Sequence, residues 1–131
     1  MIFARSLVVA AIAAVALLGA LPAKAAEWKP FTQADFAAAK NDGKSILVDI
    51  FAPWCPTCRA QNPILTQLTR DPDFKDLVVF KIDFDTQKDD VRALKATSQS
   101  TLIAFKGEAE TARSIGDTNP ASIATLVKSA L

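Results

Sequence analysis

Residues 46–58 read ILVDIFAPWCPTC, an apolar run followed directly by two cysteines three positions apart. The run from Ser45 to Phe51 is rich in β-branched residues and is interrupted only by Asp49, a pattern typical of a strand buried on both faces of a sheet. We expect a helix to begin at Cys55 and to extend to about Arg70, because the proline that follows Cys55 is favoured in a first helical turn.

The two cysteines lie at the start of this predicted helix. A helix N-terminus carries partial positive charge, which favours the thiolate of Cys55 and lowers its pKa below the ~8.5 of a free cysteine. We therefore expect Cys55 to be the attacking sulfur and Cys58, set back and shielded, to be the resolving thiol, and the spacing allows a disulfide between them. The alternative is half of a zinc site, which would need a second subunit because the chain has no other cysteine and no histidine.

The first 25 residues have the pattern of a secretory signal peptide. Arg5 precedes an uncharged run from Ser6 to Leu21, and Ala23 and Ala25 supply the small side chains that a signal peptidase requires. We expect cleavage after Ala25, which leaves residues 26–131 as a single domain. The alternative is a retained membrane anchor, although the apolar run is slightly shorter than the ~20 residues that a spanning helix needs.

Composition sets aside several classes of protein. The chain contains no histidine, which argues against hydrolases that depend on an imidazole base. It carries 15 basic and 14 acidic residues, and Arg5 and Lys24 belong to the predicted signal peptide, so the exported domain is close to neutral. Nothing in this balance indicates nucleic acid binding.

The rest of the chain alternates between helix and strand patterns. The elements that these patterns predict are a helix from Thr32 to Asn41, a strand from Leu77 to Phe84, a helix from Lys88 to Ala96, a hairpin of Thr101–Phe105 and Thr111–Ile115, and a last helix that starts at Asn119 and Pro120. A right-handed crossover makes the first two strands parallel, and the hairpin adds antiparallel strands. We therefore expect an α/β fold with a mixed central sheet and helices on both faces.

Taken in order, these motifs resemble those of the thioredoxin family over essentially all of residues 26–131. The resemblance rests on residues 46–55 with their buried acid, Pro63 five positions past the second cysteine, residues 81–83 in the next strand, and residues 101–107 with Gly116 in the hairpin. It implies a thioredoxin fold and thiol–disulfide exchange with the thiols and disulfides of other proteins, without a bound cofactor.

The resemblance also implies roles for individual side chains. Asp49 would assist the deprotonation of Cys58, with Lys81 as a modulating charge, whereas the alternative is an acid with a structural role only. The substrate-binding residues that it implies are Trp54, Pro56 and Thr57 at the dithiol, and Gln99, Ser100 and Thr101 in the loop that faces it.

The chain departs from the family at Ser100, where the family carries a cis-proline. A cis bond before a residue other than proline costs ~2.5 to 4 kcal/mol, so we expect the Gln99–Ser100 peptide to be trans. Serine would also leave space and a hydroxyl near Cys55, which a soft metal ion could use. This departure supports an alternative function, that of a thioredoxin-fold metal or iron–sulfur carrier or adaptor with weak redox activity.

The sequence thus predicts a thiol–disulfide oxidoreductase of the bacterial envelope, located in the periplasm. The Pro56-Thr57 pair resembles that of reducing envelope thioredoxins, whereas strongly oxidising relatives carry histidine before the second cysteine, so we expect a reductant. Such a protein needs an electron donor, which we expect to be a membrane dithiol carrier. We further expect a monomer that contacts the membrane only if the signal segment is retained.

Overall fold

The computed structural model describes residues 18–131. The signal peptide prediction for residues 1–25 falls largely on residues 1–17, which lie outside the described residues. Residues 18–25 are exposed and have no regular secondary structure. The first strand begins at Glu27.

Strands and helices alternate along most of the described chain. In order, the elements are β1 (Glu27–Pro30), α1 (Gln33–Asn41), β2 (Ser45–Phe51), α2 (Pro56–Leu68), a 3₁₀ turn (Pro72–Phe74), β3 (Leu77–Asp83), α3 (Lys88–Ala93), β4 (Thr101–Lys106), β5 (Ala109–Ile115) and α4 (Pro120–Lys128). The predicted elements are all present, with ends that differ by one to a few residues, as is usual for helix and strand ends.

The five strands form one mixed sheet in the order β1-β3-β2-β4-β5. β3 pairs in parallel with both β1 and β2, whereas β4 runs antiparallel to β2 and to β5. β2 is therefore central, and its carboxyl end lies beside the end of β3 and the start of β4. Residues from all three strands can meet at this edge of the sheet.

The core lies on both faces of the sheet, because side chains alternate along each strand. Ile46, Val48 and Ile50 pack on the face covered by α1 and α3, and Leu47 packs on the face covered by α2 and α4. The predicted arrangement of helices on both faces is confirmed. Asp49 shares the face of Leu47, so β2 directs its one carboxylate toward the helix that begins at the dithiol.

Two local features differ from the sequence prediction. The sequence pattern does not predict β1, because its four residues are too few for a strand pattern and its pairing with β3 is remote in sequence. α3 ends at Ala93 instead of Ala96, because Lys95 adopts a left-handed conformation with φ 55°. The guanidinium of Arg113 donates to the carbonyls of Leu94 and Lys95, and this contact from β5 stabilises the early helix end.

Candidate active site

The dithiol lies where the central strand passes into a helix. After β2 ends at Phe51, a short loop leads to Cys55, whose backbone is extended and which forms the N-cap of α2. The Cys55 Sγ accepts a hydrogen bond from the Cys58 N–H at 3.1 Å, and Pro56 occupies the first turn. The sulfur of Cys55 therefore faces the unpaired N–H groups of the helix N-terminus, an environment that stabilises a thiolate.

Cys55 and Cys58 are joined by a disulfide, with their Cα atoms 5.3 Å apart. Both cysteines are buried, Cys55 with 1% and Cys58 with 9% of its surface exposed, and they pack with Ala52 and the partly buried Phe51. Cys58 is buried, as predicted, but Cys55 is buried more deeply, so the structure does not show Cys58 as the more shielded of the two. In the disulfide form the Cys55 sulfur caps the helix and is bonded to the Cys58 sulfur. Exposed surface in this form therefore does not tell which cysteine attacks and which resolves.

A buried carboxylate and a lysine lie beside Cys58. Asp49 is 4% exposed, and its Oδ2 lies 3.8 Å from the Nζ of Lys81, its register partner on β3. Burial raises the pKa of Asp49 from its ordinary value of 3.8 to about 6, although the Lys81 ammonium acts in the opposite direction. Asp49 therefore titrates close to neutral pH, where a proton acceptor is useful.

A groove connects this carboxylate with the second cysteine. Its volume is about 270 Å³, and Asp49, Cys58 and Lys81 all line it, together with Arg59 and Asn62 of α2. The ammonium of Lys81 also lies 4.3 Å from the centre of the Phe51 ring, a cation–π contact that helps to fix the lysine. The structure thus brings the predicted acid, the modulating lysine and the resolving cysteine together.

Trp54 presents a large exposed surface next to the dithiol. Its side chain is 55% exposed, and its indole Nε1 donates to the Oδ2 of Asp85 at 2.7 Å. Pro56 is also exposed and Thr57 is partly exposed. Sequence reasoning missed Asp85, although its place just after β3, at the same edge of the sheet as Cys55, could have indicated a role.

The loop before β4 carries the remaining predicted site residues. Thr101 is buried and pairs with Ile50 of β2, which places Ser100 alongside the end of β2. No peptide bond among residues 18–131 is cis, so the expected trans bond between Gln99 and Ser100 is confirmed. The Ser100 hydroxyl donates to the carbonyl of Gln99 at 2.6 Å, so the hydroxyl expected to be free for a metal is engaged within the loop.

Residues 18–131 offer neither a metal-binding cluster nor a membrane-spanning helix. This part of the chain holds no group of three or more histidine, cysteine, aspartate or glutamate side chains placed to bind a metal ion. None of its helices is both long enough and apolar enough to cross a membrane.

Comparison with known proteins agrees with this geometry. A family model described as Thioredoxin matches residues 27–129. Thioredoxin-2 of Saccharomyces cerevisiae is 33% identical over 101 residues, which cover 77% of this chain and 93% of the yeast protein. A thioredoxin of Mycobacterium tuberculosis is 33% identical over 93 residues, 70% of this chain and 79% of that protein. The crystal structure of Trxlp from Edwardsiella tarda matches with a TM-score of 0.75 and 40% identity, covering 77% of this chain and 98% of Trxlp. The chain therefore belongs to the thioredoxin family and is a disulfide oxidoreductase.

Proposed function

We propose that the protein is exported to the bacterial periplasm and reduces disulfides of other proteins there. The observation that carries the exchange chemistry is the Cys55–Cys58 pair at the N-terminus of α2, joined by one groove to Asp49. The dithiol, the acid and the neighbouring loop all come from one chain, so a monomer suffices for this chemistry.

In the reduced protein the thiolate of Cys55 attacks one sulfur of the substrate disulfide. A mixed disulfide forms, and the other substrate sulfur leaves as a thiolate that takes up a proton. Asp49 then accepts the proton of Cys58, whose thiolate attacks the Cys55 sulfur. The second substrate sulfur leaves as a thiolate and takes up a proton, and Asp49 returns to its carboxylate form. The substrate gains two electrons and two protons, and the enzyme is left with the Cys55–Cys58 disulfide.

The residues between the cysteines support a reductant. An oxidant is strong when its reduced form is stabilised, which requires a strongly stabilised thiolate at Cys55. Pro56 and Thr57 carry no charge, so within the motif the Cys55 thiolate is stabilised by the helix N-terminus and not by a charged side chain. This moderate stabilisation of the thiolate favours a reductant. Reduction in the envelope consumes electrons from outside the chain, and we propose a membrane dithiol carrier as their source.

We expect the reduction potential of the dithiol to lie near the ~−270 mV of thioredoxin and well below the ~−120 mV of a strong oxidant. The measurement equilibrates the purified domain, residues 26–131, with a glutathione or dithiothreitol redox buffer and determines the oxidised fraction by thiol alkylation and mass. A potential near ~−120 mV would make the protein an oxidant. A protein that does not reach equilibrium with either buffer would contradict the exchange function itself.

We expect the exported protein to begin at Ala26. Ala23 and Ala25 fit the small-residue requirement of signal peptidase, and Pro22 ends the apolar segment. The measurement is the intact mass of the protein recovered from the periplasmic fraction of a bacterial host. As a matched control, Ala25→Leu should block cleavage and leave the longer chain with the membrane. If wild-type protein retains Met1, the protein is tethered and the proposal of a free periplasmic reductant is wrong.

A further inference from the structure

Gln61 is a buried polar side chain on the helix that carries Cys58. It lies three residues past Cys58, one turn along α2, and is 1% exposed. Its Nε2 donates to the carbonyl of Asp117 at 2.8 Å and to the carbonyl of Ser100 at 3.3 Å. One amide group therefore ties α2 to two turns that lie 39 and 56 residues further along the chain.

Ser100 is the residue in these turns that needs support. Its φ of 57° places it in the left-handed region, where a residue with a Cβ atom is disfavoured. Its carbonyl accepts the N–H of Gly116 at 2.9 Å as well as the amide of Gln61. Two donors on a single carbonyl fix the orientation of the Ser100–Thr101 peptide.

Burial of the Gln61 amide carries an energetic cost. Its Oε1 is buried and has no hydrogen-bond partner among the described residues. An unpaired buried acceptor is unfavourable, and an apolar side chain of similar size would avoid it. Groups that break such a rule are expected at functional sites.

The turn at Ser100, which the Gln61 amide clamps through its hydrogen bond, adjoins the loop of the dithiol. Thr101 pairs with Ile50, so Ser100 lies next to Phe51, the last residue of β2, and Cys55 follows four residues later. Gln61 and Cys58 share one face of α2, because residues three apart on a helix are neighbours. The side chain of Gln61 thus connects the cysteine helix with the backbone of the facing loop.

We propose that Gln61 is a positioning residue for the recognition of protein disulfides, holding residues 99–101 in the conformation that receives the substrate chain beside Cys55. The inference rests on the exchange function proposed above. Through its hydrogen bond to the Ser100 carbonyl, Gln61 offsets the steric cost of the positive φ that serine adopts at this position. Substrates that extend along the loop depend on this clamp, whereas a small disulfide that meets only the sulfurs does not.

The test compares two substrates, the disulfides of insulin and the small disulfide 5,5′-dithiobis(2-nitrobenzoate). For Gln61→Leu, or the unbranched Gln61→Met if the leucine variant folds poorly, we expect the KM for insulin to rise about tenfold, the worth of one to two hydrogen bonds. The rate with the small disulfide should stay within about twofold of wild type. Equal losses with both substrates, or no change with insulin, would overturn the proposal.

Thr69→Val is the matched control. Thr69 is buried at the other end of α2, donates to the carbonyl of Leu65 and accepts from the Nε1 of Trp28. This variant also loses buried hydrogen bonds and should be destabilised, but its KM for insulin should not change. A rise in KM equal to that of the Gln61 variants would show that general destabilisation is the cause, and the positioning role would fail.

Rescue by glycine tests the mechanism of positioning. Because glycine adopts a positive φ without a steric penalty, Ser100→Gly should restore most of the KM for insulin in the Gln61→Leu background. A double variant that is no better than Gln61→Leu would contradict a role in holding the Ser100 turn.

Amide hydrogen exchange measures the clamp without any substrate. The Gly116 N–H donates to the Ser100 carbonyl, so we expect its exchange to accelerate in Gln61→Leu and to keep its protection in Thr69→Val, relative to the amides of the preceding strand β5. Unchanged protection of the Gly116 amide in Gln61→Leu would refute the clamp even if the variant still carries out thiol–disulfide exchange. Conversely, a wild-type protein that reduces neither substrate would contradict the proposed function. Hydrogen exchange at the Gly116 amide would still show whether Gln61 holds the Ser100 turn.

Discussion

Cys55→Ser is expected to lower the reduction of protein disulfides to the uncatalysed rate, because it removes the sulfur that caps α2 and attacks the substrate. Cys58→Ser is expected to abolish turnover as well but to leave the first step intact, since only the second thiol resolves the mixed disulfide. The difference is visible by mass. Cys58→Ser incubated with a protein disulfide should accumulate a covalent adduct that dithiothreitol releases, whereas Cys55→Ser should form none.

Alkylation of the reduced wild-type protein provides the control. The chain has two cysteines, so every label belongs to one of them. At neutral pH we expect Cys55 to react first with iodoacetamide, because the helix N-terminus stabilises its thiolate. The 1% exposure of Cys55 in the disulfide form makes this a demanding test, since the order must come from reactivity and not from accessibility. Faster labelling of Cys58, or an adduct on Cys55→Ser, would reverse the assigned roles.

The strand, loop and helix around the dithiol could be predicted from sequence because the determinants are local. An apolar run interrupted only by Asp49 defines β2, and Pro56 marks the first turn of α2 directly after Cys55. The N-cap geometry that turns the Cys55 sulfur toward the helix follows from these neighbours alone. For the same reason the position of Asp49 within the apolar run is enough to identify it as a buried acid.

Features that depend on distant partners could not be predicted. β1 exists because it pairs with β3, and Trp28 within it donates to Thr69, 41 residues away. Asp85 has no distinguishing feature in the sequence, and only the fold shows that it accepts a hydrogen bond from Trp54. Gln61 has the appearance of a solvent-facing helix residue in sequence, and only the packing of two remote turns against α2 shows that it is buried.

Asp49→Asn is expected to raise the stability of the folded protein and to lower its rate of turnover. The pKa of Asp49 is about 6 in the folded protein and close to the ordinary 3.8 when unfolded. Between these two values the folded state binds more protons than the unfolded state, so the free energy of unfolding falls as pH rises. The loss is complete above about pH 6 and amounts to about 3 kcal/mol, since each unit of pKa is worth ~1.4 kcal/mol.

Asparagine removes this dependence because it carries no charge at any pH. Asp49→Asn should therefore be more stable than wild type at pH 7 by up to about 3 kcal/mol, a value that already includes the attraction between Asp49 and Lys81, and should show no such gain below about pH 4. Urea unfolding of the oxidised domain at about pH 4 and about pH 7 measures both values. Asp89→Asn, which alters an exposed carboxylate paired with Arg92 in α3, is the matched control and should change both values only slightly, because exposed ion pairs contribute little to stability.

The catalytic consequence runs in the opposite direction. Below about pH 6 the carboxyl of Asp49 is protonated and cannot accept the proton of Cys58, so wild-type turnover should fall as pH decreases through this value. Asp49→Asn should lose this inflection and be slower at pH 7 by up to about 10²-fold, the lower end of general-base catalysis. Lys81→Met should keep the inflection but move it to higher pH, because the ammonium that favours the carboxylate is gone. If Asp49→Asn gains stability at pH 7 and keeps the wild-type rate and pH profile, the buried acid takes no part in proton transfer, and the deprotonation of Cys58 must rely on solvent.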